Sequence, residues 1–170
     1  MGFRARNGIT LLEGDNRYTK SGTGKSRGSS YFSVAGSTKM PTDATWYDWG
    51  LTTGTFVGAD LQDFTESAGV LTYTGTVTKV FKVSAEFILR GSGTAGTGTR
   101  NIGISVNAAT PAAQCQRSAQ LGGSKSTSSV SGVVTLSTDD TVRIQSEGAA
   151  GGDATTAILY DLIGGMTVTE

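Results

Sequence analysis

An all-β, antiparallel domain preceded by an extended N-terminal arm is the predicted fold, and three observations predict it. From about residue 56, apolar and polar side chains alternate with a period of two. Strand-sized runs are set off by Gly, Ser, Thr and Asp at even spacing, and no stretch of ten or more residues carries a 3.6-residue period. The 170 residues include 25 glycines and only two prolines among many Thr, Ser and Val. β-Branched side chains suit a pleated surface, and Gly supplies positive φ at turns. Short, evenly spaced strands without a helix indicate a sandwich, jelly roll or barrel.

The length suits one domain, or one domain with an arm, and allows a self-sufficient core. Residues 1–55 read as a basic arm and aromatic-rich linker, and residues 56–170 as the β domain. Formal charge is zero but unevenly spread. Residues 1–40 hold seven bases (Arg4, Arg6, Arg17, Lys20, Lys25, Arg27, Lys39) against two acids, Glu13 and Asp15, a net of +5. Residues 41–170 hold seven bases against twelve acids, a net of −5. This asymmetry suggests that the lead segment docks on something acidic, nucleic acid or a protein surface; the plainer reading is a solvated tail.

Within the arm, "GDNRYTKSGTGKSRGSS" (14–30) contains one aromatic residue and no aliphatic one. That is too little apolar surface to offset the entropy of ordering. Only Tyr18 is available there to stack on a base, so specific nucleic-acid binding is not expected. Tyr31, Phe32 and Val34 in "YFSVAG" offer an anchor on a neighbour. Trp46, Tyr47 and Trp49 in "TWYDWG" put three aromatics within four residues, the signature of core or of an oligomer interface.

The strand signals then follow in order. "GVLTYTGT" (69–76) opens the series, and in "KVFKVSAEFIL" Phe81, Val83, Ala85, Phe87 and Leu89 share one face while Lys82, Ser84 and Glu86 take the other. "NIGISV" places Ile102, Ile104 and Val106 in phase, and "AAQCQRSAQL" does the same for Ala113, Cys115, Arg117, Ala119 and Leu121. "SSVSGVVTL" and "TVRIQS" follow with Val130, Val134, Leu136, Val142 and Ile144. In "TAILYDLIGGMTVTE", Ile158, Tyr160 and Leu162 share a face up to Gly164-Gly165, a predicted bulge or bend. The count is about seven or eight strands between residues 69 and 168.

Motifs with chemical meaning are sparse. Gly91, Gly93 and Gly96 spell G-x-G-x-x-G, but a strand follows where a dinucleotide site needs a helix N-terminus, so the loop reads as a hairpin. "SGTGKS" (21–26) ends like a P-loop, yet Thr19 stands where the leading glycine belongs and no apolar strand precedes it. The chain has no histidine, which removes imidazole-based nucleophile activation and imidazole metal sites. Asp139, Asp140, Asp153 and Asp161 leave a carboxylate pair or a calcium site formally open, without D-x-D-x-D spacing; Asp139-Asp140 reads as a turn cap. Cys115, the single cysteine, excludes an internal disulfide and reads as a small buried hydrophobe. Arg117, in phase with it, reads as a base that meets an acid at a subunit contact. The start lacks the apolar stretch of a signal peptide, and no apolar run reaches membrane-spanning length. A soluble product made in a cytoplasm, with no cofactor and no enzymatic role, is expected.

The stretch "FTESAGVLTYTGTVTKVFKVSAEFIL", its Gly-rich loop, "NIGISVN", "VSGVVTLSTDDTVRIQ" and the closing "AILYDLIGGMTV" resemble the trimeric jelly rolls of tumour-necrosis-factor and complement-head type that recur in tailed-bacteriophage virion proteins. The resemblance spans roughly residues 64–168 and rests on Tyr73, Gly75, the Phe81-Val83-Ala85 phase and the Leu136–Val142 turn, where family members often have Gly-Asp in place of Asp139-Asp140. It implies a jelly-roll homotrimer on a virion. The leading expectation is a capsid decoration (cement) protein on the outer capsid surface, bound to the major capsid protein through Arg4, Arg6, Arg17, Lys20, Lys25, Arg27, Tyr31 and Phe32. Trp46, Tyr47, Trp49, Arg117 and Tyr160 are the candidate oligomer contacts. A fibre tip that recognises host glycans through its aromatics and loops 91–100 and 147–153 is the second expectation, and a carboxylate-based glycosidase the last.

Overall fold

The computed structural model describes residues 9–10, 19–20, 25–39, 44–49, 53–92, 98–121, 124–148 and 158–170. Thirteen strands lie among them: β1 (Ile9–Thr10), β2 (Thr19–Lys20), β3 (Arg27–Lys39), β4 (Trp46–Asp48), β5 (Thr53–Gln62), β6 (Phe64–Ser67), β7 (Val70–Tyr73), β8 (Lys79–Ser92), β9 (Gly98–Val106), β10 (Gln116–Leu121), β11 (Ser126–Leu136), β12 (Thr141–Glu147) and β13 (Ile158–Thr169). β1 and β2 pair with each other. The other eleven form two antiparallel sheets. One runs β11-β8-β13-β3-β5; the other runs β10-β9-β12-β7-β6, with β4 also on β12.

The period-two alternation decides which side chains lie between the sheets. Phe81, Val83, Ala85, Phe87 and Leu89 of β8 face inward as their phase predicts, and meet Ile102, Ile104, Val142 and Ile144 from the opposite sheet. Phe64, Tyr73 and Phe81 close the core at one end, with ring centroids 5.1 to 5.4 Å apart. Each such pair adds roughly 0.5–1.5 kcal/mol beyond its area. The Tyr73 hydroxyl donates to the Val77 carbonyl at 2.8 Å, so its polar end is satisfied.

Most links between strands cross from one sheet to the other. β5 passes to β6 at Asp63, β7 to β8, β10 to β11, β11 to β12 and β12 to β13, which is the winding of a jelly roll. β6 and β7 are joined by a two-residue turn, Ala68-Gly69, whose φ values of 50° and 85° are both positive, the type I′ geometry that matches strand twist. The predicted bulge is present: β13 shifts register against β8 between Tyr160 and Ile163, and Gly164 takes φ 148° beside it.

Three expectations change. The G-x-G-x-x-G loop joins β8 to β9, which lie in different sheets, so it is a crossover and not a hairpin. Cys115 ends a 3₁₀ turn, Ala113–Cys115, and β10 starts only at Gln116. Residues 27–39, read as the end of the arm, form β3, paired on both sides with β13 and β5. The strands from residue 69 onward number seven, as predicted; the remainder come from the region ahead of them.

Candidate functional site

The residues expected to carry an interaction lie in three places. Arg4, Arg6 and Arg17 fall outside the described residues, and Lys20 is placed only as part of β2. Lys25 is exposed just ahead of β3. Arg27, the first residue of β3, donates from Nε to Asp60 Oδ2 at 2.5 Å on the surface, which holds its guanidinium further above its usual range and the Asp60 carboxyl below its own. Tyr31 is exposed on the outer side of the five-stranded sheet, and Phe32 lies in β3 with its side chain outside the described set.

Of the candidate oligomer contacts, Trp49 is 3% exposed and packs edge-on against Phe87 with centroids 5.0 Å apart. Its indole Nε1 donates to Ser146 Oγ, so it serves its own core. Trp46 and Tyr47 are half-buried in β4. Arg117 is exposed on β10, the edge of the six-stranded sheet, and Tyr160 lies in β13 with its side chain outside the described set. Thus the sequence-predicted set does not converge on one site.

A polar clasp gathers where the lead segment enters the sandwich. Ser26, fully buried, donates from Oγ to Asp63 Oδ2 at 2.7 Å and accepts from Lys79 Nζ at 2.9 Å. Lys79 also meets Glu170 Oε2 at 2.7 Å, and that oxygen accepts the Ser26 N–H at 3.0 Å. The bond to Glu170 pushes the Lys79 ammonium above its ordinary range, and Lys79 and Ser26 hold the Glu170 carboxyl below its own. A Ser–Lys pair can act as nucleophile and base only when the amine is neutral. Here the bond to Glu170 favours the charged amine and the hydroxyl is covered, the reverse of that requirement. The cluster ties the start of β3 to the start of β8 and the end of β13.

A second polar group lines the six-stranded sheet. Arg143 donates to Asp48 Oδ2 and Gln145 Nε2 to Asp48 Oδ1, both at 2.7 Å. A cavity of about 140 Å³ lies beside it, lined by Ser30, Trp49, Phe56, Met166, Asp48 and Arg143 among others. Further along, Asn101 donates to Glu147 Oε2 at 2.6 Å and Ser118 Oγ to Asn101 Oδ1 at 2.7 Å, with Trp46 opposite Glu147 in the register.

The Asp139-Asp140 pair is a turn device. Asp140 accepts the Ser137 N–H and the Asn107 side-chain amide, both at 2.7 Å, and Asp139 stands at φ 69°. Glycine adopts that conformation more readily. Asp153 and the Asp161 side chain lie outside the described set. Among the described residues, no group of three or more His, Cys, Asp or Glu could hold a metal ion. Cys115 is buried with its thiol pushed up by desolvation, the reverse of what a nucleophile requires.

The features that sequence reasoning missed lie on the outer side of the five-stranded sheet. Val80 is 59% exposed, Val133 57% and Val57 36%, beside Tyr31 at 43%, which the sequence offers as an anchor on a neighbour. A signal was present: Val80 and Val133 are apolar residues on the polar phase of otherwise regular strands.

No protein-family model matches the chain, and no curated protein matches it. Among solved structures it is similar to the vertex protein P5 of phage PRD1, with a TM-score of 0.57 and 11% identity over 86% of this chain and 98% of that one. Two structures of murine APRIL, at pH 5.0 and pH 8.0, match with TM-scores of 0.48 and 10% identity over 86% of this chain and all of theirs. At 11% identity the likeness to the vertex protein speaks to the fold. The chain is an all-β, antiparallel jelly-roll sandwich.

Proposed function

We propose that the chain is a structural protein of a phage virion, a homotrimeric capsid decoration protein whose basic lead segment binds the major capsid protein at the outer surface. The observation that carries the reading is the entry of that segment at a pinned point. Residues 1–26 hold five bases against two acids, a net of +3, and join β3 at Ser26, where the clasp fixes them to three other elements. A segment poor in apolar groups gains order by docking, and three copies on one particle multiply weak contacts through effective concentration. The resemblance to phage jelly rolls and the fold shared with a vertex protein support a place on a virion.

Deleting residues 2–40 removes β3, an interior strand of its sheet, so the informative truncation is shorter. A chain lacking residues 2–24 is expected to keep the threefold assembly and unfolding midpoint of the full protein but no longer to co-sediment with undecorated capsids of its phage. Normal decoration by the truncated chain overturns the assignment. A fibre tip is the second reading, favoured by the Trp46–Glu147–Asn101–Ser118 row, an aromatic beside oriented carboxylate and amide groups. Glycan-array binding without capsid affinity decides for it.

A further inference from the structure

We infer that the outer side of the five-stranded sheet is the surface on which copies of this chain pack against one another. The inference rests on the self-associating reading above and adds where the contact lies.

Three cross-strand rows define this surface. One runs Val133, Lys82, Thr169, Arg27. The next is made only of small residues, Ser131, Ser84, Thr167, Ser29 and Ala59. The third runs Ser129, Glu86, Gly165, Tyr31, Val57, with Gly165 leaving a dip between the acid and the ring. Four of the six large apolar side chains exposed among the described residues lie here, Tyr31, Val57, Val80 and Val133. They flank a middle row with nothing long enough to hold a second sheet away. Sheets pack at about 10 Å when small and apolar side chains face each other.

Size and charge point to another copy as the occupant. Five strands at about 4.8 Å spacing, with some nine residues at about 3.3 Å each from Val80 to Ile88, give a plane of roughly 600–700 Å². That approaches the ~800 Å² per partner of a standard interface. Among the described residues of the three rows and their ion pairs, Lys82 and Arg27 stand against Glu86 and Asp60, a balance under which copies meeting there do not repel. Among the described residues neither Lys82 nor Glu86 makes an ion pair within its own chain. They stand four residues apart on one strand, about 13 Å, beyond the screening length at physiological salt. An acidic or basic partner would select a surface of one sign.

The test is molar mass in solution of the full chain, by light scattering over a dilution series. The unaltered protein is expected at three times its 17.5 kDa chain mass. Val80→Lys and Val133→Lys are expected at one chain mass with an unchanged far-ultraviolet spectrum, while Thr65→Lys on the other sheet keeps the assembled mass. Lys82→Glu and Glu86→Lys each give the surface a net charge and should weaken association roughly tenfold or more, and the double exchange should restore it. This charge cycle serves if the valine variants do not fold. An assembled protein whose mass survives all these changes overturns the assignment of the surface while leaving the trimer standing. A monomer at every concentration overturns both, and an assembled dimer that the variants dissociate supports the surface and overturns the threefold count.

Discussion

Replacing Gly75 with alanine is expected to cost far more than a methyl group on a half-buried loop should. An added Cβ at residue 75 would lie 2.2 Å from Tyr73 Oη, 2.3 Å from Cζ and 2.6 Å from Cε2. Tyr73 cannot swing away, because it is fully buried with Phe64 and Phe81 at centroid distances of 5.3 and 5.1 Å. Accommodation therefore breaks the Tyr73–Val77 hydrogen bond, leaving a buried hydroxyl without its partner at about 1–3 kcal/mol. It also loosens two ring contacts of roughly 0.5–1.5 kcal/mol each. A destabilisation of about 2–6 kcal/mol follows, or roughly 5–25 °C in the thermal midpoint of a chain this long. Calorimetry on Gly75→Ala, alone and with Tyr73→Leu, isolates the cause. Leucine removes the three clashing atoms, so the alanine should be nearly neutral in that background. An equal cost in both backgrounds would refute the steric account, as would no cost in either.

Two further outcomes follow from the same geometry. The Glu170 carboxyl is held below its ordinary 4.5 and the Lys79 ammonium above its ordinary 10.5. The acid's contribution is therefore present above 4.5 and lost as pH falls through its depressed value, and the base's is full below 10.5 and lost as pH rises through its elevated one. Urea midpoints of Glu170→Gln should differ from those of the parent by a constant amount through neutral pH, with the gap closing in acid; a gap that widens in acid contradicts the clasp. Asp139 stands at φ 69°, so Asp139→Gly should raise stability by about 0.5–1 kcal/mol, read as a higher thermal midpoint. A lower midpoint would mean that the Asp139 side chain has a role beyond the turn.

Where an inward-facing position carries an aliphatic or aromatic side chain, period-two alternation marks the strand outright, as in β8, where each odd residue from Phe81 to Leu89 is buried. The start of β3 was hidden because its inward positions among the described side chains are Gly28 and Ser30. A Cβ at residue 28 would come within 3.0 Å of the Phe64 ring, so the opposite sheet fills that space and leaves none for an aliphatic side chain. Ser30 is satisfied there by Glu66 Oε1 at 3.2 Å. A strand whose buried face is supplied by its neighbour reads as polar linker. The destination of the strand after residues 91–96 was illegible for another reason, since alternation reports which side is buried but not which sheet the next strand joins. Site residues fared worse than strands. Trp49 and Tyr31 look alike as exposed-or-core aromatics until register places one against Phe87 and the other on the outer row.

The placement of β3 bears on the proposed role. An arm that docks on a particle transmits load to the strand it continues into, and an edge strand can be peeled away one hydrogen bond at a time. β3 is held on both sides, by β13 from Arg27 to Lys39 and by β5 from Arg27 to Ser37. Ladder hydrogen bonds run perpendicular to the strands, so tension along β3 loads both ladders in shear together. At the entry point, Ser26 is bonded to Lys79, Asp63 and Glu170 from three separate parts of the chain, so the pull meets a tied residue before it reaches β3. A basic segment attached in this way can gain order on a surface without unravelling the domain that carries it. That is the mechanical requirement of a protein held to a particle by its arm.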